Sequence, residues 1–259
     1  MPEGDTILRT ARTLDRALAG KTVTKFDSVL PALLRVDDET PLRGRKVERV
    51  TAAGKHLIIE FSGGLLLRTH MRMNGSWHVY RTGERWRRPR SNMRIVIATE
   101  EYEAVGFNVP VAEFMSSSGV LDSLGPDILN DAFDADEAIR RLRLHDAEEI
   151  ANVLLNQRVV AGIGNIYKSE SLFAANVNPL DPVASLDDAV LGRILKHARS
   201  IMRRAASGPR DRFAVYERGG QPCRKCGSRI EFRKQGAGAR GTYWCPKCQA
   251  SRKIRAHAD

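Results

Sequence analysis

The four cysteines of this 259-residue chain all fall between positions 223 and 248, as Cys223-x2-Cys226, eighteen residues, then Cys245-x2-Cys248. Each C-x-x-C turn can bring two thiolates to one metal at about 2.3 Å, and two such knuckles complete a tetrahedron. No fifth ligand is suggested, so the spacing predicts one closed, structural zinc site. The metal would replace the core that a segment of about 30 residues cannot build. A disulfide framework would be odd here, because nothing else in the chain points to an oxidising compartment. Between the knuckles lie Arg229, Phe232, Arg233, Lys234, Arg240, Tyr243 and Trp244. That mixture suits a β-hairpin zinc finger that presses arginines against phosphates.

Charge points the same way. The formal net charge is +11. From Arg203 to Asp259 there are 15 Lys/Arg against 4 Asp/Glu, while residues 1–202 balance at 27 of each, so the whole excess sits in the last 57 residues. A smaller knot, Arg81, Arg85, Arg87, Arg88, Arg90 and Arg94, lies in the first half. Concentrated basic charge most often faces nucleic acid, and otherwise forms a solvated face. No stretch approaches the roughly 20 apolar residues of a membrane span. The opening residues lack the basic and apolar regions of an export signal. The expectation is a cytoplasmic, nucleoid-associated protein that works as a monomer.

Periodicity divides the chain. Ile7, Leu8, Ala11, Leu14 and Leu18 recur at helical spacing, which predicts a helix from Thr6 to about Ala19. Short runs of strand character follow at 23–27, 47–53, 57–61, 65–69, 76–80 and 93–99, punctuated by glycines, as in a β-sandwich or barrel. Residues 121–136 are acidic, contain Gly125-Pro126 and read as a linker. Helical spacing returns at 134–144, 147–156, 166–175 and 185–206, with Asp134, Asp146 and Ser185 as expected caps. The expected fold class is α+β: a β-sandwich domain with an N-terminal helix (1–122), a linker (123–136), a helical domain (137–212) and a zinc finger (213–255).

Two short segments carry chemistry. In Ala161-Gly162-Ile163-Gly164-Asn165-Ile166-Tyr167-Lys168-Ser169-Glu170 the glycines permit a tight turn, and Asn165 stands at a helix start, where free N–H groups favour a phosphate. At the other end, Met1 is readily removed before Pro2, exposing a secondary amine. An α-amino group titrates near 7.7–8.0, so a useful neutral fraction exists at pH 7. Such an amine can attack C1′ of a deoxyribose and leave a cationic iminium once the base departs. Taken alone, Met-Pro is merely a starting dipeptide.

It is not alone. Met1-Pro2-Glu3-Gly4, Gly54-Lys55, Leu124-Gly125-Pro126-Asp127-Ile128-Leu129, the glycine-asparagine turn and Arg240-Gly241-Thr242-Tyr243-Trp244-Cys245-Pro246-Lys247-Cys248-Gln249 occur in one order. In that order the whole chain resembles the formamidopyrimidine-DNA glycosylase and endonuclease VIII family of DNA glycosylase/AP lyases. The resemblance implies a helix–two-turn–helix in the second domain, double-stranded DNA with a damaged base or abasic site as partner, and no small-molecule cofactor. It implies Pro2 as Schiff-base nucleophile, Glu3 as proton donor, Lys55 as a backbone contact assisting β-elimination, and Arg240 as the phosphate grip supporting δ-elimination. Asn165 would bind phosphate, and Cys223, Cys226, Cys245 and Cys248 would hold the zinc. His70-Met71-Arg72-Met73-Asn74-Gly75 aligns with the loop that fills the space left by a flipped nucleotide, which makes Arg72, Met73 and Asn74 the candidates there. On the residues alone, Met73 reads almost as well as a core residue of a short strand.

The chain also departs from the family pattern. Asp5-Thr6 stands where many members carry a second glutamate, and the phenylalanine-glycine loop of 8-oxoguanine enzymes is not recognisable near Glu103–Phe107. Ala151-Asn152 replaces a lysine expected before the glycine turn, and the eighteen-residue spacer is slightly long. These departures favour the endonuclease VIII branch and oxidised pyrimidines. The alternatives are an 8-oxoguanine-type purine glycosylase, a damage-binding member without catalysis, and a zinc-ribbon DNA binder, which would leave Pro2-Glu3 and Lys55 unexplained.

Overall fold

The structure is a computed structural model that describes residues 2–116, 119 and 121–251. The chain divides into two compact units, Met1–Asp122 and Ser123–Asp259.

The first unit opens with helix α1 (Gly4–Leu18), whose apolar stripe Ile7, Ala11, Leu14 and Leu18 is fully buried. That stripe packs into the core between two antiparallel four-stranded sheets. One sheet runs β1-β6-β7-β5, from β1 (Lys25–Ser28), β6 (Met93–Ala98), β7 (Tyr102–Phe107) and β5 (Ser76–Arg81). The other runs β2-β3-β4-β8, from β2 (Val47–Ala53), β3 (His56–Phe61), β4 (Leu65–His70) and β8 (Val111–Met115). This is the expected α+β sandwich with its leading helix. The six strand runs read from the sequence each fall on a strand. Helix α2 (Pro31–Glu39), β7 and β8 were not foreseen, for physical reasons. Helix α2 buries only Leu33, so its apolar stripe is too thin to register. Strand β7 buries both faces from Ala104 to Phe107 and so lacks alternation. Ile95, Ile97 and Ala104 face the sandwich interior, whereas Tyr80, Val96, Val105 and Phe107 form a separate cluster on the outer face of the same sheet.

The second unit holds α3 (Ala135–Arg143), α4 (Ile150–Val153), α5 (Asn165–Ala174) and α6 (Asp188–Ser207), then the hairpin β9 (Glu231–Gln235) and β10 (Arg240–Trp244). Asp134 caps α3 by accepting from Glu137 N, as read from the sequence. The other two expected caps are corrected. Asp187, not Ser185, caps α6 through Val190 N at 2.7 Å, while the Ser185 hydroxyl donates to Pro182 O. Helix α4 begins after Glu149 rather than at Asp146 and lasts one turn. Beyond its end the Asn156 and Gln157 side chains bond backbone groups of the following turn. Asn156 Oδ1 accepts from Arg158 N, and Gln157 bonds Leu155 O, Ile163 O and Gly162 N. Gly125 runs so close to Val159 that a Cβ would stand 2.3 Å from its carbonyl oxygen, and Ile128 is fully buried. The 124–128 segment is thereby locked beside 157–161 through Gly125 N to Gln157 O, Ala161 N to Pro126 O and Ile128 N to Ala161 O. Among the described residues no helix is long and apolar enough to cross a membrane.

Candidate functional site

In the first unit the site begins at the start of α1. Glu3 is the N-cap residue, with extended backbone (φ −123°, ψ −177°), and its carbonyl accepts from Ile7 N at 3.0 Å. Glu3 is 0% exposed, Asp5 two residues on is equally buried, and Pro2 is half-buried. Two carboxyl groups are therefore packed at the positive end of a helix dipole.

Lys55 is the second residue of the β2–β3 turn, whose first residue Gly54 takes φ +58°, and is half-buried. Beside it, at the start of β3 and the end of β4, the rings of His56 and His70 meet edge-on with centroids 5.0 Å apart. Arg68 reaches His56 Nδ1 at 3.0 Å and pairs with Glu113. His70 Nδ1 accepts from Arg72 N at 3.0 Å, which leaves any ring proton on Nε2. Burial foremost pushes both imidazoles down to about 4. The neighbouring His70 and then the cations Arg68, Arg72 and Lys55 add to this at His56, and Arg72, Lys55 and Arg68 add to it at His70. Both rings are neutral at pH 7, so the corner's charge comes from Lys55, Arg68 and Arg72.

Residues 71–75 turn from β4 into β5. Met71 is buried in the sandwich core, Gly75 N bonds back to Met71 O, and Arg72 adopts φ +49°. Arg72 and Asn74 are exposed, and Met73 is 57% exposed. Of the two methionines it is Met71 that serves the core.

The second unit gathers its candidates around α5. Gly162 takes φ +98°, a conformation that L side chains rarely adopt, and Gly164 is the N-cap. Asn165 then opens the helix. Its Nδ2 donates to Gly241 O at 2.8 Å, and its Oδ1 accepts from Lys168 Nζ at 2.7 Å. Lys168 is 0% exposed and also donates to Thr242 Oγ1 (2.7 Å) and Gly241 O (3.3 Å). The ammonium fixes the amide: Oδ1 must face the cation, so Nδ2 with its two N–H groups points the other way. Arg240 is exposed and directly precedes Gly241 on β10. Glu170, one turn further along α5, accepts from the backbone N–H groups of Ala214, Val215 and Tyr216 at 2.8–2.9 Å.

The four cysteine sulfurs lie within 4.8 Å of one another, with Cys223 and Cys245 buried. Four thiolates at that spacing fit one tetrahedral zinc with no position left open. Gln249 anchors the finger to the helical part: its Oε1 accepts from Cys245 N, its Nε2 donates to Val177 O, and its own carbonyl accepts from Asn178 Nδ2.

Sequence reasoning assigned no role to Lys168, Glu170, His56 or His70. Lys168 and Asn165 stand three apart on one helix, which puts them on one face, and that spacing was the available signal. The histidines gave none, because strand pairing alone brings them together.

Comparison with known proteins gives the family. The family model for the formamidopyrimidine-DNA glycosylase N-terminal domain matches residues 1–110, that for its H2TH domain 124–212, and that for the zinc finger found in FPG and IleRS 220–250. The chain is 38% identical to the probable endonuclease 8 2 of Streptomyces coelicolor, covering 96% of this chain and 94% of that one. It is 35% identical to the DNA-(apurinic or apyrimidinic site) lyase Nei2 of Mycolicibacterium smegmatis, over 97% of this chain and all of the relative. Among solved structures it shares the fold of the Lactococcus lactis formamidopyrimidine-DNA glycosylase bound to DNA containing an AP site (TM-score 0.83, 23% identity, 96% of this chain and all of that one). With helix-led sandwich, helical turn and four-cysteine finger each matched in order, the chain belongs to the formamidopyrimidine-DNA glycosylase and endonuclease 8 family.

Proposed function

We propose that this protein is a bifunctional DNA glycosylase and AP lyase of base excision repair that removes oxidised pyrimidines through Pro2. The observation that carries the reading is the fully buried Glu3 carboxyl directly beside a half-buried Pro2 at the head of α1. Once Met1 is removed, the Pro2 nitrogen lone pair attacks C1′ and the N-glycosidic bond breaks; the base leaves with the bonding electron pair and takes up the proton that the Pro2 nitrogen sheds. Glu3 delivers a proton as the sugar ring opens, and the product is an iminium between Pro2 and C1′. Loss of a C2′ proton then expels the 3′ phosphate, and a second elimination expels the 5′ phosphate. Lys55 is the backbone contact in the first unit, with Arg72, Met73 and Asn74 entering the space of the extruded nucleotide. Asn165 offers its second amide N–H to a phosphate and Arg240 offers its guanidinium. Cys223, Cys226, Cys245 and Cys248 hold the zinc that keeps Arg240 in place.

The endonuclease 8 names of the relatives support the pyrimidine assignment. We read the protein as a monomer on duplex DNA in the cytoplasm, with residues 1–122 carrying the chemistry, and residues 137–212 and the finger at 213–255 holding the strand.

Borohydride trapping on a duplex with one abasic site, with mass spectrometry of the cross-linked peptide, tests the reading. The expected adduct is on Pro2. No adduct, from protein shown to lack Met1 and to hold zinc, would make it a damage-binding member. Faster release of 8-oxoguanine than of thymine glycol would move it to the purine branch.

A further inference from the structure

The arginine knot between β5 and β6 has no part in this chemistry, yet it lines a broad cavity in the first unit. That cavity, about 740 Å³, lies over the outer face of the β1-β6-β7-β5 sheet, against Val96 and Glu103. Helix α1 packs into the sandwich interior with Ile95, Ile97 and Ala104, so the cavity and the core-facing stripe of α1 lie on opposite faces of one sheet.

The loop is held in one shape. Trp86 Nε1 donates to Glu103 at 3.0 Å and its ring meets Phe107 edge-on at 5.8 Å. Arg87 N donates to Tyr80 Oη, and Arg88 Nε donates to His78 Nε2 at 3.3 Å. The Arg90 guanidinium lies 4.8 Å over the Trp86 ring. The acids of the lining are already engaged. Glu103 holds Trp86, Glu84 stands 3.7 Å from Arg87, and Asp27 stands 3.6 Å from Lys25. Arg85, Arg88 and Arg90 line the same cavity and make no ion pair among the described residues.

Three uncompensated guanidiniums around one concavity repel one another unless an anion enters. Each offers a planar fork that matches phosphate oxygens. An arginine stacked on a tryptophan is also a surface on which a base can stack. We propose that this cavity binds the phosphates of a nucleic-acid strand, at a site apart from the Pro2 centre, with Arg85, Arg88 and Arg90 as the contacts and Trp86 as the floor. It receives a stretch of strand other than the nucleotide under repair, and so tethers the enzyme to DNA without reading sequence.

The test is fluorescence anisotropy of a labelled oligothymidine of about 20 nucleotides across a salt series, with zinc-loaded full-length protein. Each neutralised phosphate of a single strand contributes about 0.7 to the slope of log affinity against log salt. The R85A/R88A/R90A variant is expected to lose about 2 from that slope and at least about tenfold in affinity at low salt. R85A, which keeps both the Arg88–His78 bond and the Arg90–Trp86 stack, loses about 0.7 from the slope and guards against a misfolded loop. Borohydride trapping by both variants at saturating abasic duplex stays within about twofold of wild type.

Unchanged affinity and slope in both variants would overturn the site. Wild-type protein already trapped on abasic duplex should still bind the labelled strand, and failure to do so would overturn its separateness. A free nucleoside triphosphate that binds the wild type and is not displaced by the strand would overturn the strand assignment in favour of a nucleotide. Wild-type protein that traps no abasic DNA would sink the lyase reading while leaving the strand measurement intact.

Discussion

Helices α1 and α5 begin alike and are used oppositely. Both start from an N-cap residue with extended backbone and no side-chain capping bond, Glu3 at φ −123° and Gly164 at φ −120°. Both therefore place the positive end of the helix dipole at the first turn. At α1 the protein surrounds that potential with its own buried carboxylates, Glu3 and Asp5. At α5 the first turn carries no acid, and its buried nitrogen-bearing side chains are Asn165 and the cation Lys168. The difference teaches what each start can accept. The first has its acids built in and suits a reaction that needs a proton held next to an amine. The second is left positive and suits a phosphate brought from outside.

The largest expected effect comes from removing the acid of the first start. Glu3→Gln keeps size and burial but cannot deliver a proton, so base excision should fall by about 10²–10⁴-fold. Trapping on a preformed abasic site, which no longer needs the base expelled, should fall far less. Equal loss in both assays would mean that Glu3 serves the helix start rather than the chemistry, and the contrast between the two helices would collapse.

A smaller effect should follow from emptying the second start. Lys168→Met removes the cation that orients Asn165 and bonds Thr242, and a lost buried hydrogen-bonding partner costs about 1–3 kcal/mol. Affinity for abasic duplex should drop by about tenfold, equivalent to about 1.4 kcal/mol. In an Asn165→Ala background the same change should add little, because the two act on one phosphate contact. Additive losses in the double-mutant cycle would separate Lys168 from Asn165 and reduce it to a packing residue.

The third effect is on stability rather than on activity or binding, and it sharpens the electrostatics of the first unit. His56 and His70 are held down at about 4, against an ordinary value of 6.5. Between pH 6.5 and 4 the unfolded chain binds protons that the folded chain refuses, so stability falls as pH falls through that window and levels off below it. The melting temperature should therefore decline on acidification, and less so in the H56Q/H70Q variant. Identical pH profiles for the two proteins would show that these rings are not the groups that titrate.

The chain's own letters settled a good deal. The zinc finger was legible because a metal imposes its geometry on spacing: two C-x-x-C pairs can close on one ion whatever surrounds them. Helix α1 was legible from its buried stripe, and the paired strands from their runs between glycines. The local choices at Pro2-Glu3 and Gly162–Asn165 were equally visible, since an N-terminal amine and a turn before a helix depend on neighbours in sequence. What lacked a local pattern was invisible. Strand β7 is covered on both faces and shows no alternation, and α2 buries a single leucine. The linear order could not say that Met71 enters the core while Met73 faces solvent, nor that Ser185 yields the cap of α6 to Asp187. Nor could it bring His56 to His70 or drive Lys168 into a dry contact with Thr242, 74 residues away. Those contacts are set by strand register and by the docking of the finger on α5. Burial and electrostatic neighbours are properties of the folded chain, so only the tertiary structure decided them.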